Sequence, residues 1–191
     1  MNVFDFDGTI YSGDSTLDFT LYCLARQPRI LRALPRWSRA LISALDMLRD
    51  DPVSRDATRC KEHLYAYLPL VRDMPGTLER FWSGHARKLR EWYLEMKRPD
   101  DIIISAGPRF LLQPVCDKLR VSLIASDVDP ATGRCVSRVC RGWVKAERFN
   151  AEYPGADIDS FYSDSGSDLP MAKLARRAYM VRGKRVMDWP E

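Results

Sequence analysis

Two aspartates stand two residues apart near the start of the sequence, in Phe4-Asp5-Phe6-Asp7-Gly8-Thr9. An apolar run precedes them and a glycine follows, which predicts that they lie at the carboxyl end of a short buried strand. Ligands of α/β sheets bind at the carboxyl ends of strands, so this position suits an active site. One carboxylate could act as a nucleophile and the other as a general acid and base beside a metal ion. Asp-x-Asp alone is a weak signal, because it also occurs in calcium sites and in plain surface loops.

Two further stretches place a polar side chain next to a predicted helix start. Ser105 and Ala106 follow the apolar run 102–104, where a hydroxyl and free N–H groups suit a phosphate. A serine that only caps the helix is the alternative. Lys145 begins a predicted helix, a position that disfavours a cation unless an anion lies nearby, although a solvated lysine also fits.

The last candidate stretch follows a predicted apolar strand over residues 158–163. Asp164 and Asp168 are four residues apart and separated by small residues. Such a loop could hold a hard cation through oxygen ligands. In isolation, an Asp-rich turn that caps the next helix explains the pattern equally well.

The elements that must position these residues fall into three zones. Residues 1–12 read as a strand and a turn, and residues 13–98 as almost entirely helical, with breaks at Pro28, Pro35 and Pro52. From residue 100 onward, strands and helices alternate, which predicts a mainly parallel, doubly wound α/β sheet with helices on both faces. The expected strands are 102–104, 121–125, 158–163 and 179–181, with a hairpin turn at 129–133, and the expected helices are 108–119, 145–153 and 169–177.

Composition limits the class of protein. The chain has 191 residues, 46% of them hydrophobic and 29% charged, which is typical of a globular protein. A net charge of +4 does not require nucleic acid, and we expect no such partner. Five cysteines without a CxxC pair, together with two histidines, argue against a disulfide framework and a structural zinc site. No apolar run is long enough to span a membrane, and we expect a cytoplasmic protein.

Taken together, the order Asp-x-Asp-Gly-Thr, Ser, Lys and Asp-x-x-x-Asp resembles the haloacid dehalogenase superfamily of phosphohydrolases. The helical insertion after the first motif resembles the cap of its phosphoserine-phosphatase-like branch. The resemblance implies a Rossmann-like core over residues 1–12 and 99–191 with an inserted helical cap over 13–98, whose boundary between 76 and 98 stays open.

The resemblance also implies a phosphomonoester hydrolase that acts on a small phosphorylated metabolite. Asp5 would attack phosphorus and form an aspartyl phosphate. Asp7 would protonate the leaving oxygen and then activate water. Ser105, with the N–H of Ala106, would bind the phosphate, and Lys145 would pair with both the phosphate and Asp5.

The same resemblance implies that Mg²⁺ is the cofactor. The Asp5 carboxylate, the Asp7 backbone carbonyl and Asp164 would hold the ion, and Asp168 would steady these ligands. The acids and a phosphate dianion would gather about six negative charges, so the site needs both its metal and its lysine.

The chain departs from the branch at four positions. Gly8 stands where phosphoserine phosphatases carry serine, and Asp14 stands where they carry a glutamate at the entry to the cap. Both differences weaken phosphoserine as the substrate. Asp14 is a candidate substrate contact, although a hinge turn at Gly13-Asp14 is the simpler reading. Ser163 and Ser167 replace a common glycine and asparagine.

Two alternatives stay open. The segment from Leu17 to Arg49 carries six arginines, namely Arg26, Arg29, Arg32, Arg36, Arg39 and Arg49. This basic, apolar segment could lie on an anionic membrane, as expected of a lipid-phosphate phosphatase acting on a phosphatidylglycerophosphate-like substrate, or it could be a solvated basic face. The second alternative is a phosphoacceptor or binding protein without turnover. The sequence predicts neither the substrate nor the oligomeric state.

Overall fold

The computed structural model describes residues 1–33, 35, 37, 38 and 57–190, and strand β1 (Asn2–Phe4) lies inside its main sheet. The other described strands of this sheet are β2 (Ile102–Pro108), β3 (Ser122–Ser126), β6 (Ile158–Ser163), β7 (Ala175–Arg182) and β8 (Arg185–Asp188). Among the described residues the sheet has six strands, in the order β3-β2-β1-β6-β7-β8. All neighbouring pairs are parallel except the last, which is antiparallel. A separate antiparallel hairpin, β4 (Val128–Asp129) and β5 (Arg134–Cys135), follows β3.

The described helices cover both faces of the sheet. The α-helices are α1 (Ser15–Arg26), α2 (Thr58–Leu64), α3 (Met74–His85), α4 (Glu91–Met96), α5 (Arg109–Leu119), α6 (Trp143–Glu152) and α7 (Leu169–Ala172). Short 3₁₀ helices occupy Pro28–Ala33, Tyr65–Leu70, Ala86–Lys88 and Gly166–Asp168. The predicted doubly wound α/β fold is therefore confirmed.

Two hydrophobic clusters divide the core, because alternate residues of β1 point to opposite faces of the sheet. Phe4 joins a cluster that includes Phe81, Trp82 and Leu111 from α3 and α5. Val3 joins the other cluster, with residues of α6 and α7 such as Phe149. Both faces of β1 are thus buried, as expected for a central strand in a parallel sheet.

The helical zone between β1 and β2 does not lie wholly apart from the sheet. Phe4 of β1 packs edge-to-face against Tyr93 of α4, with 5.0 Å between the ring centroids. The indole N–H of Trp82 in α3 donates to the carbonyl of Leu111 in α5 at 2.7 Å. By contrast, α2 lies against the β4–β5 hairpin, where Glu62 accepts from the Cys135 N–H. The division into core and cap therefore stays a prediction.

Local predictions succeeded unevenly. The hairpin turn at 129–133 and the strand at 158–163 are confirmed. The expected helix over 169–177 is wrong after Ala172, because β7 begins at Ala175 and pairs with β6. The break predicted at Pro28 is confirmed, since α1 ends before it.

The structure describes only part of the basic segment from Leu17 to Arg49. Arg36, Arg39, Arg49 and Pro52 lie outside the described residues, so the proposed basic face is described only at Arg26, Arg29 and Arg32. Among the residues that the structure does describe, no helix is long and apolar enough to cross a membrane.

Candidate active site

The candidate residues meet where the strand order changes direction. β2, which follows β1 in this sheet along the chain, lies on one side of β1. On the other side lies β6, and the strand that follows it, β7, lies farther out on that side. The carboxyl ends of β1 and β6 therefore border a crevice. Ligands of α/β sheets bind at such a point. A cavity of about 430 Å³ opens there. It is lined by all eight candidate residues, Asp5, Asp7, Asp14, Ser105, Ala106, Lys145, Asp164 and Asp168.

A buried lysine joins the first and last motifs. Lys145 Nζ donates to Asp5 Oδ1 and to Asp168 Oδ2, each at 2.6 Å. The side chains of Lys145 and Asp168 are only 3% and 2% exposed. This pairing explains why a lysine occupies the first turn of α6, where the helix dipole disfavours a cation.

The cluster is strongly coupled in charge. Burial alone would lower the pKa of Lys145, but attraction to Asp168 and Asp5 outweighs it, so the pKa is raised and the lysine stays protonated. Burial raises the pKa of Asp5, and Lys145 opposes this by attracting the ionised carboxylate. Lys145 is therefore the group that favours ionisation of Asp5.

The turn after Asp7 requires a glycine. Gly8 has a φ of +76°, and a Cβ built on it would lie 1.9 Å from Asp164 Oδ2. Any side chain at this position would therefore displace the Asp164 carboxylate. Thr9 ties the same loops together, since its hydroxyl donates to Asp5 Oδ2 at 3.3 Å and accepts from the Asp164 N–H at 2.9 Å.

Asp7 has one oxygen held and one facing the cavity side. The Ser15 N–H donates to Asp7 Oδ1 at 2.6 Å. Asp7 Oδ2 lies toward Gly107, 3.6 Å from the position of a Cβ built there. Burial, followed by repulsion from Asp14, raises the pKa of Asp7 to about 6. A carboxyl group with such a pKa can both give and take a proton near neutral pH.

Ser105 is positioned differently from the prediction. It was expected between a strand ending at residue 104 and a helix starting at 108, but β2 continues to Pro108 with a shift of register. The helix α5 begins only at Arg109. The buried Ser105 hydroxyl accepts from the Gly107 N–H at 3.0 Å, which leaves its own proton for another acceptor in the cavity.

Asp14 acts as the N-cap of α1. Its carboxylate accepts from the Leu17 N–H at 2.8 Å, and it lies on the exposed rim of the cavity. This geometry matches the simpler turn reading of Gly13-Asp14. Substrate contact by Asp14 stays a prediction.

The serines that replace the branch's usual residues shape the last motif. Ser163 donates to Asp168 Oδ2 at 2.8 Å and accepts from the Ser165 N–H at 3.1 Å. The Ser165 and Ser167 hydroxyls are hydrogen-bonded at 2.8 Å. Asp168 is thereby fixed toward Lys145, consistent with an indirect role rather than direct contact with an ion.

The residues fit a divalent cation of the Mg²⁺ class. Burial raises the pKa of Asp164, which lines the same cavity as Asp5 and Asp7. No three His, Cys, Asp or Glu side chains converge as a metal site within the described ranges. The expected set needs only two carboxylates, from Asp5 and Asp164, because its third protein ligand is the Asp7 backbone carbonyl. Such an all-oxygen set suits Mg²⁺, which keeps several waters.

Three residues of the site were not selected from the sequence. Thr9 belongs to the first motif, and its place after Asp-x-Asp-Gly was the available signal. Lys61 on α2 and Arg141 just before α6 also line the cavity. Neither lies in a motif, and they are 80 positions apart, so no local pattern connects them.

Comparisons with known proteins find solved structures of similar fold. No curated protein matches the sequence. A protein of unknown function from Bordetella pertussis Tohama I superposes with a TM-score of 0.73 at 22% identity, covering 93% of this chain and 87% of that one. A phosphoserine phosphohydrolase-like protein from Francisella tularensis subsp. tularensis SCHU S4 gives 0.55 at 16% identity, covering 93% and 86%. A substrate-bound phosphoserine phosphatase gives 0.54 at 14% identity, covering 92% and 82%.

These similarities show a shared fold. The family assignment comes from the sequence, because the model of the haloacid dehalogenase-like hydrolases matches residues 3–173. That range contains every candidate site residue, from Asp5 to Asp168. The chain belongs to the haloacid dehalogenase-like hydrolase family.

Proposed function

We propose that this chain is a Mg²⁺-dependent phosphatase that hydrolyses a small phosphomonoester through an aspartyl-phosphate intermediate. The observation that carries the proposal is the pairing of Asp5 with a buried, protonated Lys145, together with the presence of Asp7 in the lining of the same cavity. The solved phosphoserine phosphatase with a similar fold supports the choice of phosphoryl transfer.

In the first step, a carboxylate oxygen of Asp5 attacks phosphorus, and the bond from phosphorus to the leaving oxygen breaks. Asp7 gives its proton to that oxygen, so the product leaves as a neutral alcohol. Lys145 stabilises the charge on the phosphoryl oxygens, and the Ser105 hydroxyl donates to one of them.

In the second step, Asp7 takes a proton from water while the water oxygen attacks phosphorus. The bond between phosphorus and Asp5 breaks and inorganic phosphate leaves, which restores the Asp5 carboxylate and the protonated Asp7. When bound, Mg²⁺ would offset the negative charge of the phosphoryl group and the surrounding acids.

This proposal favours turnover over stable phosphorylation. A protein that only stores a phosphoryl group on aspartate has no need of an acid beside the nucleophile. Here Asp7 lies in the cavity with its pKa raised to about 6, where it can activate water. We also propose that residues 13–98 contain the cap, from which Gly13, Asp14 and, on α2, Lys61 line the cavity.

The test compares Asp5→Asn and Asp7→Asn with wild type on p-nitrophenyl phosphate, with Mg²⁺ and with a chelator. Asp5→Asn should abolish phosphate release, and Asp7→Asn should lower the rate by about 10²–10⁴. Asp117→Asn, an exposed acid on α5, is the matched control and should stay at the wild-type rate. Circular dichroism checks that each variant is folded. A folded Asp5→Asn protein with wild-type turnover would refute the mechanism.

A further inference from the structure

The cavity contains two cations that the mechanism does not use. Lys61 lies on α2 and Arg141 lies just before α6, and both line the same 430 Å³ cavity as the nucleophile. Both side chains are half-buried. Their distance in sequence means that the fold, rather than a local motif, places them together.

Hydrogen bonds fix the segments that carry these two cations. The Cys135 N–H donates to Glu62 on α2 at 3.0 Å. The Val139 N–H donates to the hydroxyl of Thr58, also on α2, at 3.2 Å. α2 is therefore held against the chain that leads from β5 into α6, and Lys61 and Arg141 are positioned by the same contact.

Neither cation has a neutralising partner within the described residues. Lys145 is matched by Asp5 and Asp168, whereas no described carboxylate lies within 4.0 Å of the Lys61 ammonium or the Arg141 guanidinium. The Nε atom of Arg141 is buried and has no hydrogen-bond partner in the part of the chain that the structure describes. A buried donor of a charged group costs free energy unless an acceptor reaches it, so this arrangement suits an anionic ligand.

The position of Lys61 points to the leaving group of the substrate. Lys61 lines the cavity together with Asp7 and Asp14. Attraction to Tyr65, Asp14 and Asp7 raises the pKa of Lys61, although burial and Arg141 act to lower it. In the proposed mechanism, Asp7 donates a proton to the leaving oxygen. Cations near Asp7 therefore face the part of the substrate beyond the phosphorus atom.

We propose that Lys61 and Arg141 form a second-anion subsite, and that the substrate is a phosphomonoester whose leaving group carries a further phosphate or carboxylate. The proposal rests on the proposed function and narrows its substrate class. Arginine suits this role, because its planar guanidinium binds either group through two parallel hydrogen bonds. An ammonium group on the leaving group would meet two like charges, so phosphoserine should be a poorer substrate than its hydroxyl analogue.

The test uses probes that differ only in the leaving group. Glycerol 3-phosphate has a neutral one, 3-phosphoglycerate adds a carboxylate, propane-1,3-diol bisphosphate adds a phosphate, and phosphoserine replaces the hydroxyl of 3-phosphoglycerate with an ammonium. We expect wild type to show a higher kcat/KM for the two anionic probes than for the neutral one. The anionic probe with the higher kcat/KM shows whether the second anion is a phosphate or a carboxylate.

Variants then connect this preference to the two residues. Lys61→Gln and Arg141→Gln should each lower kcat/KM on the preferred anionic probe by about 10- to 100-fold, the loss expected for a hydrogen bond between charged groups. On p-nitrophenyl phosphate the loss should stay within about threefold. Lys61→Arg, which keeps the charge, should retain the preference. Arg59→Gln is the matched control, because Arg59 is exposed on the same helix and does not line the cavity.

Equal losses on the neutral and anionic probes would overturn the proposal, since the cations would then act on the transferred phosphoryl group. A wild type without preference for a second anion would overturn it as well. Binding separates this inference from the proposed function: calorimetry on Asp5→Asn should show that Lys61→Gln weakens the affinity for the preferred probe. If wild type releases no phosphate but this loss of affinity is seen, the hydrolytic function fails and the second-anion subsite stands.

Discussion

Replacing Lys145 with methionine tests how far the stability of the protein depends on the pairing of this lysine with Asp5 and Asp168. In the folded protein, Lys145 lies between Asp5 and Asp168 and is 3% exposed, with both contacts at 2.6 Å. Lys145→Met keeps a chain of similar length but leaves two buried carboxylates without their cation. Breaking a buried ion pair by removing one partner costs about 3–5 kcal/mol, so we expect a loss of that size in the free energy of unfolding at pH 8.

The direction in which the stability of Lys145→Met changes with pH follows from the pKa of Asp5. Burial already raises the pKa of Asp5 above its unfolded value, and removal of Lys145 takes away the attraction that opposes this rise. The folded variant then binds more protons than its unfolded chain. Its stability therefore falls as pH rises, and the gap to wild type should be smaller at pH 5 than at pH 8.

Urea unfolding in the presence of a chelator measures both effects. The double variant Lys145→Met/Asp168→Asn removes one of the stranded charges, and the cycle should give a coupling energy of about 1–3 kcal/mol between the two residues. Asp117→Asn again serves as a surface control. If Lys145→Met lost less than about 1 kcal/mol at every pH and the cycle were additive, the buried charge cluster could not exist as described.

Three further changes test separate parts of the site. Gly8→Ala forces an alanine to a φ of +76° and against Asp164, so urea unfolding should show a loss of about 1–3 kcal/mol, and calorimetry should show weaker Mg²⁺ binding. An unchanged Mg²⁺ affinity would remove Asp164 from the metal site. Asp14→Ala removes the N-cap of α1 and should cost about 1 kcal/mol of stability, with a KM near that of wild type; a large rise in KM would instead show that Asp14 contacts substrate. Ser105→Ala should raise the KM for p-nitrophenyl phosphate about tenfold through one lost phosphate hydrogen bond, while unchanged steady-state kinetics would exclude that contact.

The sequence predicted the site where chemistry and chain geometry are both local. Asp5 and Asp164 each follow a short apolar strand, and the carboxyl ends of parallel strands meet at one edge of the sheet. The unfavourable position of Lys145 at a helix start predicted an anionic partner, and the structure supplies two. Each of these inferences was weak alone, and the resemblance to the haloacid dehalogenase superfamily combined them into one predicted site.

Prediction failed where pairing between strands outweighs local preference. Residues 173–177 have high helix propensity, but Ala175 and Arg177 pair with β6 instead, so α7 stops after one turn. β8 has no buried side chain and therefore no hydrophobic pattern to reveal it. It forms because the chain reverses at Gly183, with a φ of +60°, and its backbone pairs with the edge of β7.

The two kinds of cation in the cavity explain why part of the site was invisible in the sequence. Lys145 is neutralised by acids of its own chain, so its role follows from the family motif and its removal destabilises the fold. Lys61 and Arg141 have no such partners among the described residues, and only the contact of α2 with the chain after β5 brings them together. In this chain the catalytic cation could therefore be predicted from a motif, whereas the two cations that we propose to select the substrate are brought together only by the tertiary fold.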